Sequence, residues 1–210
     1  MLTLPISNRL TLPPLMMAEP QYPLAHGKMN IDAGDLAALV AREDAQYLHL
    51  SSSACLSGMT DSRLPAELHG SLLPLGRLAE HDITPDSGEG GSTDVNQLKY
   101  HAVSVCSTVD IQDSLSTLAG YSGTEGFVAD NDFPVLFAIH NTGSMTSHPE
   151  DESSPVIDPM GKMDACEFAI RGGVAAGDIR AIIVPKEYEM DACRMLSTLP
   201  SLQDKVTAFS

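Results

Sequence analysis

Residues 166–185, CEFAIRGGVAAGDIRAIIVP, hold two short runs of apolar and β-branched side chains separated by a turn of glycine and alanine. Runs of this length, bounded by Gly and Pro, are strands. Side chains alternate across a strand. Glu167 therefore shares a face with Ala169 and Arg171, while Cys166, Phe168 and Ile170 take the other. On that pattern the carboxylate is expected to look away from the core, into a cleft or into water.

Other segments supply more strands and the layers that cover them. QYLHLSS alternates, with Leu48 and Leu50 on one face and Tyr47, His49 and Ser51 on the other. KYHAVSVCS sets Val103 and Val105 against Ser104 and Cys106, and FPVLFAIH is continuous enough to be a buried strand. Helices are expected over DLAALVARED, capped by Asp35, over ACLSGM, and over IQDSLSTLAGY, capped by Asp110 with Ile111, Leu115 and Leu118 on one stripe. KEYEMDACRMLSTL is expected to close the chain as a helix. TPDSGEGGSTDVNQ reads as a loop, and residues 141–162 read as an exposed connection. Because strands and helices do not alternate regularly, the pattern predicts an α+β fold with mostly antiparallel pairing.

The chain has 210 residues, 43% of them hydrophobic and 19% charged, which fits a single domain over residues 24–210 preceded by a flexible arm at 1–23. No apolar run approaches the roughly 18 residues that cross a bilayer. The opening segment is broken by Pro5, Pro13 and Pro14 and has no basic leader, so it makes a poor secretory signal. With 28 acidic against 12 basic residues, the net charge of −16 disfavours nucleic acid and anionic membranes and favours a partner with a basic face. Cys55, Cys106, Cys166 and Cys193 form no C-x-x-C pair, which argues against structural zinc and for thiols in a reducing compartment.

Three polar side chains on strands are candidates for chemistry. His49 could bond a ligand hydroxyl while Ser51 and the serines after it hold a phosphate or ribose. Ser104 could orient a second polar group. Glu167 could stabilise a developing positive charge, as carboxylates do in glycosidic cleavage. Taken singly, each is better explained as an ordinary strand residue. Arg63, Arg77 and Arg171 are the available phosphate partners. A metal site from His140, His148, Glu150 and Asp151 and a thiol hydrolase built on Cys106 with His140 or His49 are the competing chemistries. GYSGTEG misses the G-x-S-x-G elbow at Thr124.

In order, YLHLSSSACLSGM, GSLLPLGRLAEHDITPDSGEGGST, HAVSVCSTVDIQDSLSTLAGY, FPVLFAI and EFAIRGGVAAGDIRAIIVP resemble the ADP-ribosyltransferase superfamily of bacterial toxins and effectors, from about Gln46 to Pro185. The resemblance is to the histidine-bearing branch, in which a strand carries His and a small polar step, a second strand carries serine and leads to a helix, and a third opens on a glutamate. Leu50 stands where glycine is common. Ala165 stands two residues before Glu167, where arginine-modifying toxins carry a second acid.

The resemblance implies two packed, mainly antiparallel sheets with flanking helices around a cleft for NAD, which is a substrate handled without metal. It implies transfer of ADP-ribose to a side chain other than arginine, with Glu167 catalytic, His49 on the adenosine-side ribose, Ser51 beside it, Ser104 supporting Glu167, and Tyr121 stacking on nicotinamide. It further implies a monomeric secreted effector acting in a host cytoplasm on a protein with a basic face. The segments GSLLPLG and PDSGE resemble the effectors that modify ubiquitin on threonine. Two alternatives remain open: an acidic module that binds a basic protein without turnover, and a Cys/His hydrolase.

Overall fold

The apolar runs assemble side by side rather than as sequence neighbours. The computed structural model describes residues 21–83, 102–123, 128, 129, 131–142, 157–159 and 166–209. A hairpin of β1 (Gln21–Leu24) and β2 (Met29–Asp32) leads into α1 (Ala33–Arg42), β3 (Tyr47–Ser52), α2 (Ser53–Met59) and the short α3 (Leu75–Ala79). Then come β4 (Ala102–Ser107), α4 (Ile111–Ser122), β5 (Pro134–Ile139), β6 (Ile157–Pro159), β7 (Glu167–Arg171) and β8 (Ile179–Pro185). The C-terminal end holds α5 (Glu189–Met195), α6 (Pro200–Gln203) and β9 (Val206–Phe209).

Strands β3 to β9 form one seven-stranded sheet in the order β6-β7-β4-β3-β5-β8-β9. Every pairing in it is antiparallel except β8 with β9. The α+β class and the mainly antiparallel pairing agree with the sequence pattern. In place of two comparable sheets, the described residues form this one sheet and the two-stranded hairpin.

Both faces of the sheet are covered, and this decides what its polar residues meet. One face puts Leu48, Cys106, Leu136 and Ile183 against the hairpin, α1 and α4 through Leu36, Leu39, Leu115 and Leu118. The other puts Val105, Phe137, Ile170 and Ile182 against α2 and the C-terminal helices through Leu56, Ala192, Leu196 and Leu202. Each fully buried Leu or Ile of this kind stabilises the fold by about 1.5–3 kcal/mol.

Local chemistry explains where elements start. Asp110 caps α4, its Oδ1 accepting from the amides of Gln112 at 3.1 Å and Asp113 at 3.0 Å. For α1 the cap is Asp32, which accepts from Gly34 at 2.9 Å and Asp35 at 3.0 Å, so the helix starts before the expected Asp35. Asp35 instead sits in the first turn, where the helix dipole favours a carboxylate. Residues 21–23, expected in the arm, pair with Asn30–Asp32 as β1. The stretch expected to be an exposed connection contains β6, which pairs with β7. The chain does not close on a helix either, since β9 adds to the sheet edge after α5 and α6. The loop expected from Thr84 to Gln97 lies outside the described residues.

The turn after β7 is the most constrained. Leu72 and Val174 exchange both backbone hydrogen bonds, at 2.9 and 2.8 Å, which ties the segment before α3 to that turn. Gly173 lies between them at φ +110°, and a Cβ there would stand 2.5 Å from the Leu72 carbonyl oxygen. Gly173→Ala is therefore expected to lower stability by about 2 kcal/mol or more. Gly27→Ala, at φ +82° with open space around it, should cost about 1 kcal/mol. Urea denaturation midpoints of the two variants measure the difference.

Candidate functional site

The three strands singled out by the sequence are neighbours in the sheet, in the order β7-β4-β3. Their registers fix what faces what. Tyr47 pairs with Ser107 and Leu48 with Cys106, and there the β3–β4 ladder ends, although β3 pairs with β5 along its whole length. The Thr108 amide donates to the Gln46 carbonyl, which sets the phase of the ladder. In that phase the next bonded pair would give the Ser104 carbonyl to the Leu50 amide. Instead His49 Nδ1 lies 2.7 Å from the Ser104 oxygen. A side chain has taken the place of a ladder bond, and a seam opens between Leu50–Ser52 of β3 and Ala102–Ser104 of β4.

This hydrogen bond also fixes the state of the ring. A carbonyl oxygen only accepts, so Nδ1 carries the hydrogen and donates it. Burial holds the imidazole below the usual histidine range, with the Ser104 carbonyl opposing that shift. The neutral ring is then left with Nε2 as an acceptor. It stacks on Phe137, with centroids 6.0 Å apart.

Glu167 heads β7 opposite Cys106. The Ser107 amide donates to the Cys166 carbonyl, so the next pair, Cys106 with Glu167, is a non-hydrogen-bonded one whose side chains approach closely. Glu167 is only 3% exposed. The expectation that it looks into a cleft or water is corrected: because the sheet is covered on both faces, either parity buries a central strand residue. Its Oε2 has no hydrogen-bond partner among the described residues. A buried polar atom left without a hydrogen bond costs about 1–3 kcal/mol.

The registers bring some of the expected residues together and separate others. Ser104, two residues from Cys106 on β4, shares the face of Glu167. Tyr121 is on the last turn of α4, the helix that covers that side, but its side chain is exposed and lies outside the core cluster. One turn earlier on the same stripe, Thr117 Oγ1 lies 3.3 Å from Cys166 Sγ, next to Glu167 in the chain. His49 and Ser51 take the opposite face, with Phe137 and Val105. What links the two groups is the seam, where the imidazole of one bonds the main chain of Ser104. Ser51 lies beside Cys55, whose thiol burial pushes up to about 11 against the effect of the Ser51 hydroxyl. Ser53 Oγ donates to Asp132 Oδ1 at 2.5 Å, so a carboxylate already occupies the start of α2.

The departure at Leu50 is accommodated. Its φ is not positive, and its side chain packs in the core on the α1 side, so glycine is not required. By the ladder phase its N–H and C=O both face the seam, a donor and an acceptor from one residue. Sequence reasoning could not find this, because where a ladder stops is not written in residue types.

Among the arginines, Arg63 is committed: it bonds both oxygens of Asp61, at 2.9 and 2.6 Å, and the Asp82 carbonyl, and it holds the Asp61 carboxyl down to about 2. Arg77 Nη1 donates to the Gly172 carbonyl at 3.2 Å, just past the end of β7. Arg171 pairs with Ala102 at the end of β4. No cluster of three metal-ligating side chains occurs among the described residues, and His148, Glu150 and Asp151 lie outside them. His140 Nδ1 is held by Asp44, 2.8 Å from its carbonyl and 3.2 Å from its carboxylate. Cys106 faces away from His49 across the sheet, so that pair is not assembled as a hydrolase requires. No helix among the described residues is long and apolar enough to cross a membrane. No protein-family model matches the chain, and no match was found among curated proteins or solved structures.

The imidazole carries a pH dependence of defined sign. Its pKa in the fold lies below the ordinary value of 6.5, so the unfolded chain takes the proton first. The stability this ring contributes is fully present above 6.5 and is lost as pH falls from there toward the folded-state value. Wild-type stability is expected to drop more steeply than that of His49→Gln between pH 7 and pH 5, as read from urea midpoints at each pH.

Proposed function

We propose that this chain is a mono-ADP-ribosyltransferase of the histidine-bearing type, moving ADP-ribose from NAD to a side chain of an acceptor protein. The observation that carries the reading is Glu167, a carboxylate buried at the head of a strand with one oxygen unsatisfied. Such a group destabilises a fold that has no use for it, and it suits a reaction that generates a cation. The seam supports the same reading. It offers an imidazole acceptor for a ribose hydroxyl and, at Leu50, a donor and acceptor complementary to a primary carboxamide, the group nicotinamide carries.

The chemistry follows from these groups. The bond between the nicotinamide ring nitrogen and ribose C1′ breaks, and its electron pair returns to the ring, leaving neutral nicotinamide and an oxocarbenium-like ribosyl cation. The Glu167 carboxylate holds the ribose and stabilises that cation. An acceptor nucleophile then attacks C1′ and loses its proton. A ligand lodged in the seam lies between the strand bearing His49 and the strand whose Ser104 shares the face of Glu167, while Tyr121 stands further along the α4 side.

The acceptor proposed is a protein with a basic face, matching a chain of net charge −16, and ubiquitin is the first to test. Arginine as the acceptor side chain is disfavoured by Ala165. Action in a host cytoplasm after secretion belongs to the same proposal and rests on the superfamily resemblance.

At 4 Å and an effective dielectric near 20, a carboxylate stabilises a cation by about 4 kcal/mol, or about a thousandfold in rate. Glu167→Gln should therefore lower NAD cleavage about a thousandfold while leaving denaturation stability close to that of wild type, since Oε2 has no hydrogen bond to lose among the described residues. Labelled NAD with lysate or ubiquitin, alongside urea denaturation, reads both. A variant that keeps full modifying activity and loses stability would make Glu167 a structural residue and sink the proposal.

A further inference from the structure

We infer that Arg180 and Lys205 form a site for a small phosphate-class oxyanion, separate from the seam and independent of the transferase reading. Arg180 is the extra residue of a β-bulge: Ala181 pairs with Ala138 and Ile179 with Ile139, so no residue of β5 stands opposite it. A bulge takes a side chain out of the regular alternation and is common beside functional sites. Lys205 stands at the foot of β9, where its carbonyl accepts from the Ile182 amide at 2.9 Å. Its side chain reaches across to β8, and Nζ donates to the carbonyls of Ile179 at 2.5 Å and Ala176 at 3.4 Å. The ammonium thus rests on the carbonyl of the residue just before Arg180.

Two cations set side by side and partly buried repel each other, and among the described residues no carboxylate is bonded to either. Arg42, Arg63 and Arg194, by contrast, each pair with an acid. Arg180 has no hydrogen bond or ion pair among the described residues, and its Nε is buried without a partner. The acids whose charge reaches Lys205 are held by other groups. Asp178 accepts from Thr142 Oγ1 at 2.8 and 2.9 Å and from its amide at 3.2 Å, and Glu43 accepts from Arg42 Nε at 2.8 Å. Burial, and after it the Arg180 charge, hold the Lys205 ammonium below the usual lysine range, against Asp178 and Glu43. One ammonium N–H and the guanidinium Nη groups remain as donors. Together they suit a tetrahedral dianion, which offsets both charges at once.

The pair is no part of the seam. Glu167, Cys106, Leu48, Ala138 and Ala181 lie in one row across the sheet. Ala181 is therefore about 19 Å from Glu167, at roughly 4.8 Å per strand. Arg180 lies beyond it, away from the end of the sheet at which the seam opens.

Calorimetric titration with inorganic phosphate at constant ionic strength, with acetate as the monovalent control, tests the site. Wild type is expected to bind one phosphate, and to bind it more tightly than acetate. Arg180→Gln should lose roughly 10- to 100-fold in phosphate affinity, and Arg180→Lys should recover part of the loss. In phosphate-free buffer the urea midpoint of Arg180→Gln should match wild type, because Arg180 has no bond to lose among the described residues. Glu167→Gln should bind phosphate as wild type does. Wild type that binds no phosphate, or shows no preference over acetate, overturns the inference. So does an Arg180→Gln variant that keeps full phosphate affinity, or one that is already destabilised without phosphate, which would make Arg180 a packing residue. All of these leave the transferase reading standing.

Discussion

The hydrogen bond from His49 to the Ser104 carbonyl is the contact around which the middle of the sheet is arranged. A backbone ladder between β3 and β4 would close the sheet and leave its main-chain groups satisfied in the usual way. Substituting an imidazole ends the ladder after two pairs while the Ser104 carbonyl stays bonded. The penalty for unpaired buried peptide groups is of order 1–3 kcal/mol each, so an open seam in the centre of a sheet is tolerated only where the flanking ladders are long. They are: β3 pairs with β5 over six residues and β4 with β7 over five.

Much of this was legible in the residues. The runs that became β3, β4, β5, β7 and β8 were readable from alternation and flanking breakers, and so were the α4 helix and its Asp110 cap. The hairpin was not readable. It needs positive φ at Ala25 and His26 as well as at Gly27, and only the glycine signals such a turn. β9 escaped because four residues, VTAF, carry too little pattern, and its partner β8 is distant in the chain. The cap of α1 was misplaced because DAGD offers two aspartates and the fold uses the first.

The site was legible in its residue types and not in its geometry. Period-two alternation correctly put Glu167 with Ala169 and Arg171, but it cannot say whether the opposite side of a strand is water or a second core. Here helices cover both sides, so the face assigned to solvent is buried. The same limit hid the separation of His49 from Glu167. Parity within one strand is local, whereas the relative parity of two strands depends on register, which only the pairing of Cys106 with both Leu48 and Glu167 decides.

The sheet order has a kinetic consequence. β3 and β4, neighbours in space, are separated by α2, α3 and a long stretch of chain, and β7 reaches β4 only after β5 and β6 have been laid down on opposite sides of the sheet. No contiguous half of the chain contains a complete set of partners, so the closure of long loops must precede most of the contacts that reward it. Such a topology is expected to fold slowly, because the middle of the sheet is complete only when β7 has found β4. A nascent chain would set Glu167 beside Cys106 only once β7 has been made and has docked on β4.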